Sequence, residues 1–433
     1  MFISSFGALA ALFIALLLIL KKLPAPYALM VGALIGALLG GASLSQAITT
    51  MVDGAASMMS AILRILASGV LVGCLVQTGA ARRIAQAIVQ GLGQKRALAA
   101  LILASLLICS IGVFIDITII TVAPIALAIC QQSQTSKQAA LLAMIGGAKA
   151  GNLISPNPNT LAVASSFGLE LSQLILQNLI PALVAGLVTL LLAQSLNRKL
   201  EKANLPTEQV AQSESSTSQT DQLLEEAQTD QGPSLLAALL GPLTVVVLLA
   251  LRPLVGFSID PILALPLGGL VTLLACREGQ QLISYCQFGL DQVKEVCLLL
   301  IGTGTVAGII SASQLQADLS QLLQFLQLPP FLLAPLSGLF MGAATASTTA
   351  GASIASQSFA PSLIAAQVPP LPAGGMLHAG ATVLDSLPHG SFFHATAGSV
   401  HLNFRQRMAL IRYEATIGAS ATLLAVLAYL ITA

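Results

Sequence analysis

Two stretches of this chain place polar and helix-breaking residues where long apolar runs would otherwise continue, and the two resemble each other. The first is Gly146-Gly147-Ala148-Lys149-Ala150-Gly151, followed by Ser155-Pro156-Asn157-Pro158-Asn159-Thr160. The second is Gly374-Gly375-Met376-Leu377-His378-Ala379-Gly380, followed by Asp385-Ser386-Leu387-Pro388-His389-Gly390. Backbone broken at membrane depth survives only where it is buried in protein or lines a watery cavity. A broken polar segment repeated once in each half marks the substrate site of a secondary transporter.

The membrane reading comes from composition. The 433 residues are 56% hydrophobic and only 8% charged, against about 25% charged in soluble domains. About 20 apolar residues cross a bilayer as a helix. Apolar runs from 6–20 to 409–431 predict ten to twelve membrane segments. The expected fold is an all-α membrane protein, a polytopic helical bundle with two inverted repeats. Each repeat would carry a re-entrant hairpin and a broken helix. Lys21 and Lys22 follow the first apolar run and no basic stretch precedes it, so that run reads as a retained helix. The six cysteines show no paired spacing and read as reduced thiols. Gly32, Gly36 and Gly40 form a small-residue seam for helix packing, within the chain or between protomers.

Residues 197–233 are almost devoid of large apolar groups and rich in Glu, Gln and Ser. Such a segment cannot bury enough apolar surface to order itself. It divides the chain into an N-terminal transmembrane repeat (1–196), a hydrophilic, disordered cytoplasmic linker (197–233) and a C-terminal transmembrane repeat (234–433). Placing the Lys and Arg clusters in the cytoplasm puts the N-terminus outside and the linker inside. Parallel features support duplication. Ala123-Pro124 precedes Lys149 and Ala360-Pro361 precedes His378, with small polar residues upstream of each proline.

The stretches ASTTAGASIASQSFAP and HAGATVLDSLPHG, the latter followed by HLNFRQRMALIRYE, resemble the C-terminal signature of the gluconate and hydroxybutyrate permease (GntP) family of the ion-transporter superfamily. Asp385, Leu387, Pro388 and His389 match its late motif. ISPNPNT occupies the place of its earlier Pro-rich motif, with Pro156 and Pro158 as counterparts. Gly390 stands where family members usually have Asn, and the earlier motif here is richer in Asn. The resemblance implies a helical carrier with two re-entrant hairpins and proton-coupled uptake of small hydroxylated carboxylates.

Candidate site residues follow from the two breaks. Ser155, Asn157, Asn159 and Thr160 sit at a Pro-enforced break, where free helix-end N–H groups favour an anion and polar side chains can reach hydroxyls. Ser347, Thr348, Thr349 and Ser353 are the second-half equivalent, with helix packing as the alternative role. Lys149 would complement a substrate carboxylate; snorkelling to the interface is its alternative. Asp385 and His389 are the proton-coupling candidates, because intramembrane ionisable groups are costly and a titrating group can carry a proton. Asp116 joins them, or pairs with Lys149 or Arg64.

The expected partners are a small organic anion, protons (with sodium as the other coupling ion) and membrane lipid, with a homo-oligomer left open and no nucleic acid. No cofactor or metal is expected; His378, His394 and His401 with Asp385 fit no standard ligand spacing. The expected location is multi-pass in the inner cell membrane. A sodium-coupled di- or tricarboxylate carrier is the alternative within the same superfamily. An ion channel would need polar residues along a whole pore, and here they concentrate in two patches. Asp116 and Asp385 lack the context of a protease dyad, and no phosphate-cradling loop supports ATP-driven transport. The chain therefore reads as a carrier and not as an enzyme.

Overall fold

The computed structural model describes residues 3–93, 96–132, 135–202, 232–255, 259–315, 317–318, 321 and 329–432. In the first half the helices are α1 (Ser5–Leu20), α2 (Ala25–Leu39), α3 (Leu44–Ser57), α4 (Met59–Gln77), α5 (Ala80–Leu92), α6 (Ala97–Ser110), α7 (Ile115–Gln132), α8 (Lys137–Leu153), α9 (Pro158–Ser166), α10 (Leu171–Gln177) and α11 (Leu179–Lys202). In the second they are α12 (Leu235–Val255), α13 (Pro261–Ala275), α14 (Leu282–Ser311), α15 (Leu333–Thr345), α16 (Thr348–Ala365), α17 (Pro370–Ala381), α18 (Ser391–Ser399), α19 (Phe404–Met408) and α20 (Ile411–Thr432). Among the described residues the only β pairing is an isolated bridge between Ile3 and Ser313.

These helices turn small residues inward and large apolar ones outward, the pattern that lets membrane helices approach closely. On α11, Ala182, Ala185, Thr189 and Ala193 are buried while Leu183, Leu187 and Leu191 are exposed. On α20, Ile417, Ala421 and Ala425 are buried while Leu423, Leu427 and Leu430 face out. Among the described residues five helices are long and apolar enough to cross a membrane, and six shorter apolar ones accompany them, in keeping with the expected ten to twelve segments. The protein is a helical membrane protein.

Three expectations need correction. The apolar run 171–194, read from the sequence as one membrane segment, is divided at Asn178 into α10 and α11. Residues 197–202 continue α11 rather than opening a linker; the rest of the expected linker, 203–231, lies outside the described residues, and so does its disorder. The two Gly-rich runs are not breaks. Gly146–Gly151 lies within α8 and Gly374–Gly380 within α17, and the breaks come only afterwards. Glycine serves close approach there. A Cβ at Gly151 would stand 2.3 Å from the Leu106 carbonyl oxygen, and one at Gly380 would stand 2.3 Å from that of Pro335.

The same packing scheme recurs in both halves. Helix α8 packs on α6, α7 and α11, while α17 packs on α15, α16 and α20. The short helix after each break crosses to the other half: α9 packs on α16, and α18 packs on α7. One large core draws buried residues from both halves, from Ala61 to Ala425. The Gly32/Gly36/Gly40 seam is filled within the chain, by Ala11, Ala15, Gly7 and Ile3 of α1 and the segment before it.

Candidate functional site

Pro156 and Pro158 stop α8 and start α9, since proline cannot donate in a helix interior but suits the first helical position. Asn157 is the N-cap of α9: its Oδ1 accepts from the amides of Asn159 (3.0 Å) and Thr160 (3.1 Å). Across from it, Ser347 caps α16, accepting from the amide of Ala350 at 3.3 Å. The turn into α16 runs through Ala346 at φ +47°, a left-handed conformation uncommon outside glycine. The two helix starts are joined directly, because the Thr349 hydroxyl donates to Asn159 Oδ1 at 2.6 Å. Each N-terminus carries about half a positive charge on its free N–H groups. Two such ends, one from each half, meet here.

Beside them lies a buried ion pair. Lys149 Nζ is 2.6 Å from Asp385 Oδ1 and donates to the Thr382 carbonyl at 2.7 Å. Asp385 also accepts from the hydroxyls of Thr348 (2.5 Å) and Ser386 (2.8 Å). Lys149 and Asp385 are 1% and 3% exposed, so neither charge is paid for by water. Thr348 and Thr349, adjacent on α16, therefore tie the ion pair to the paired helix starts. Lys149 is not at an interface, and snorkelling does not describe it.

The remaining candidates fall into place around this centre or away from it. Thr160 donates its hydroxyl to Asn157 Oδ1 at 3.2 Å, and Ser155 Oγ is buried without a protein partner. His389 does not pair with Asp385. It is exposed, with Nε2 3.3 Å from the Ala344 carbonyl. Residues four apart face each other on a helix, but 382–390 is turn, so that spacing loses its meaning. Asp116 is exposed near the start of α7 and pairs with neither expected cation. Lys149 is taken by Asp385, and Arg64 binds Asp260 at 2.8 Å. Gly390 makes backbone contact with the Ala346 turn: a Cβ there would stand 2.6 Å from the Ala346 oxygen.

Sequence reasoning passed over Asn152 and Asn178, and it weighed His378 only as a repeat marker and a metal ligand. Asn152 Oδ1 accepts from the side-chain amides of both Asn157 and Asn159, while its own Nδ2 has no protein partner. Asn178 Nδ2 reaches the Leu153 carbonyl and His378 Nδ1, both at 3.4 Å, and His378 Nε2 is buried without a protein partner. The matching Lys149-Ala-Gly and His378-Ala-Gly triplets were a signal for His378 as the second-half counterpart of Lys149. All six cysteines are free.

Comparison with known proteins gives a consistent picture. The sequence model of the family described as GntP family permease matches residues 5–428. An "Uncharacterized transporter" of Haemophilus influenzae is 45% identical over 427 residues, covering 99% of this chain and 98% of that protein. A "Gluconate permease" of Bacillus licheniformis is 26% identical over 168 residues, 38% of this chain and 36% of that one. Among solved structures, the YdaH transporter of Alcanivorax borkumensis superposes with a TM-score of 0.64 at 17% identity, over 87% of each chain. That last likeness is one of fold.

Proposed function

This chain belongs to the GntP permease family and is a membrane transporter, and from that premise we propose that it carries a small organic acid anion together with a proton. Gluconate, glycerate and 3-hydroxybutyrate are the candidate cargoes. The observation that carries this reading is the meeting of two helix N-termini from opposite halves beside the buried Lys149–Asp385 pair.

The charge arithmetic links the two cargoes. The site holds one cation and one anion, Lys149 and Asp385, whose charges balance. An incoming carboxylate alone would leave one net negative charge in a low-dielectric interior, where charge is costly. One proton on Asp385 restores neutrality and releases Lys149 to face the carboxylate. Anion and proton then travel as a pair. Asn157 and Asn159 hold the α9 start in place, Thr348 and Thr349 hold that of α16, and Asn152 Nδ2 and Ser155 Oγ offer the cargo unclaimed polar atoms.

The architecture in this proposal is a pair of inverted repeats, 1–196 and 234–433, that rock around the shared site. The recurrence of one packing scheme in both halves supports it. Placement in the inner cell membrane accords with this reading.

Purified protein in liposomes tests it. An imposed pH gradient, acid outside, should concentrate one of these acids without any sodium gradient. Accumulation driven by sodium alone would replace the proton in this scheme, and no transport of any carboxylate would remove the scheme itself.

A further inference from the structure

Helices α9 and α16 run side by side in the same direction. Thr349 meets Asn159 at their starts, and Ser166 meets Ser356, hydroxyl to hydroxyl at 3.2 Å, seven residues further along each. At about 100° per residue, Thr349, Ser353, Ser356 and Gln357 share one face of α16. That face therefore begins at the site just described and continues along the seam for about 12 Å.

Two residues on it are buried with polar atoms that no protein group satisfies. Ser353 is 0% exposed and its Oγ has no partner; Gln357 is 4% exposed and neither its Oε1 nor its Nε2 has one. A buried amide left without partners at both ends is expensive and rare. Pro361 adds to this. It has no N–H to give to the Gln357 carbonyl four residues before it, so the helical hydrogen bond of that carbonyl is forfeited as well. Gln357 thus combines, on the helix that meets α9, a buried side-chain amide without partners and a backbone carbonyl that lacks its helical donor.

Resting on the organic-anion reading above, we propose that this seam is a hydroxyl-binding subsite in which Ser353 and Gln357 receive the polyhydroxylated tail of a sugar-acid cargo whose carboxylate lies at the Lys149 end. The chemistry of the seam selects this cargo. An alcohol both donates and accepts, as the Ser353 hydroxyl and the Gln357 amide require. An alkyl tail would leave them unsatisfied, and a second carboxylate offers acceptors only. A site built to hydrogen-bond hydroxyls rejects analogues that lack them far more sharply than an apolar pocket distinguishes sizes. Gln357 is in this reading a specificity-determining residue.

The test compares wild type, Gln357→Leu and Ser353→Ala in proteoliposome counterflow, with gluconate as the polyhydroxylated probe and lactate as the one-hydroxyl probe. Gln357→Leu should raise the half-saturating gluconate concentration at least tenfold and leave that of lactate within about twofold. Ser353→Ala should act in the same direction and less strongly. Melting of the detergent-solubilised protein should hold or rise in Gln357→Leu, because it removes unsatisfied polar groups. Equal losses for both probes, or none for either, would overturn the subsite; a seam that only holds water gives one of those results. If Gln357→Leu does not fold, Ser353→Ala decides by the same ratio. Wild type that moves lactate but not gluconate also overturns the subsite, whereas wild type that moves no carboxylate at all removes the organic-anion reading beneath it.

Discussion

Two buried ion pairs in this molecule look alike by burial and differ in everything else. Arg407 and Glu414 are 0% and 1% exposed and seven residues apart, both near the C-terminus. The guanidinium meets both oxygens of Glu414, donates from Nε to Thr396 Oγ1 at 3.1 Å, and lies 4.9 Å from the centre of the Phe393 ring. Thr396 and Phe393 belong to α18, so this pair clamps the short helix after the second break to the last helices. Lys149 and Asp385 are 236 residues apart and join the two halves. Lysine is a point charge on a flexible stem, whereas arginine is a rigid fork that matches a carboxylate. The Arg407 fork meets both carboxylate oxygens of Glu414 and the Thr396 hydroxyl. The partners of Lys149 are a carboxylate and one carbonyl, both at a turn, and the other partners of Asp385 are rotatable hydroxyls. Burial does not separate these two pairs; the number and geometry of their partners do.

That contrast can be broken most easily at the clamp. Arg407→Ala strands Glu414 in a dry interior, which should destabilise the protein by about 3–5 kcal/mol. Size-exclusion profiles in detergent should show loss of folded protein, and the double change Arg407→Met with Glu414→Leu should recover it. A single variant that folds and transports normally would end the structural reading of this pair.

Asp385→Asn should cost less, about 1.5–3 kcal/mol for a weakened hydrogen bond to a charge, because Lys149 keeps the Thr382 carbonyl. Its melting temperature should recover in saturating substrate, whose carboxylate takes the vacated place. Uptake should equilibrate but no longer concentrate substrate in response to imposed pH. Continued concentration would show that Asp385 does not carry the proton.

Asn157→Ala removes the cap of α9 and a brace of the site. Substrate affinity should weaken by about 1–2 kcal/mol with the response to pH preserved, as read by counterflow at several pH values. Coupled loss of both would merge the functions that Asp385 and Asn157 are assigned here. The smallest effect belongs to His389. It is exposed, with its ring against the Ala344 carbonyl, and its change to Gln should stay within about 0.5 kcal/mol in stability and leave pH-driven uptake within twofold. A loss of coupling there would return His389 to the proton path.

The sequence by itself determined the helical membrane class and the positions of both breaks, because apolar run length and proline act through their immediate neighbours. It also singled out Lys149, Asp385, Asn157, Asn159, Thr348 and Thr349, since each is a polar residue out of place in an apolar chain. It misread the Gly-rich runs as breaks, because glycine at a helix crossing and glycine at a bend look the same until Leu106 or Pro335 is seen against them. It offered Asp116 cations that bind elsewhere, and it passed over Asn152, Gln357 and the Arg407–Glu414 clamp. Those outcomes belonged to tertiary structure for one reason. A helix or a break is decided within a few residues, whereas the partner of a buried polar group is whichever complementary group the packed helices bring within about 3 Å of it; for Lys149 and Asn159 that group came from the other half of the chain.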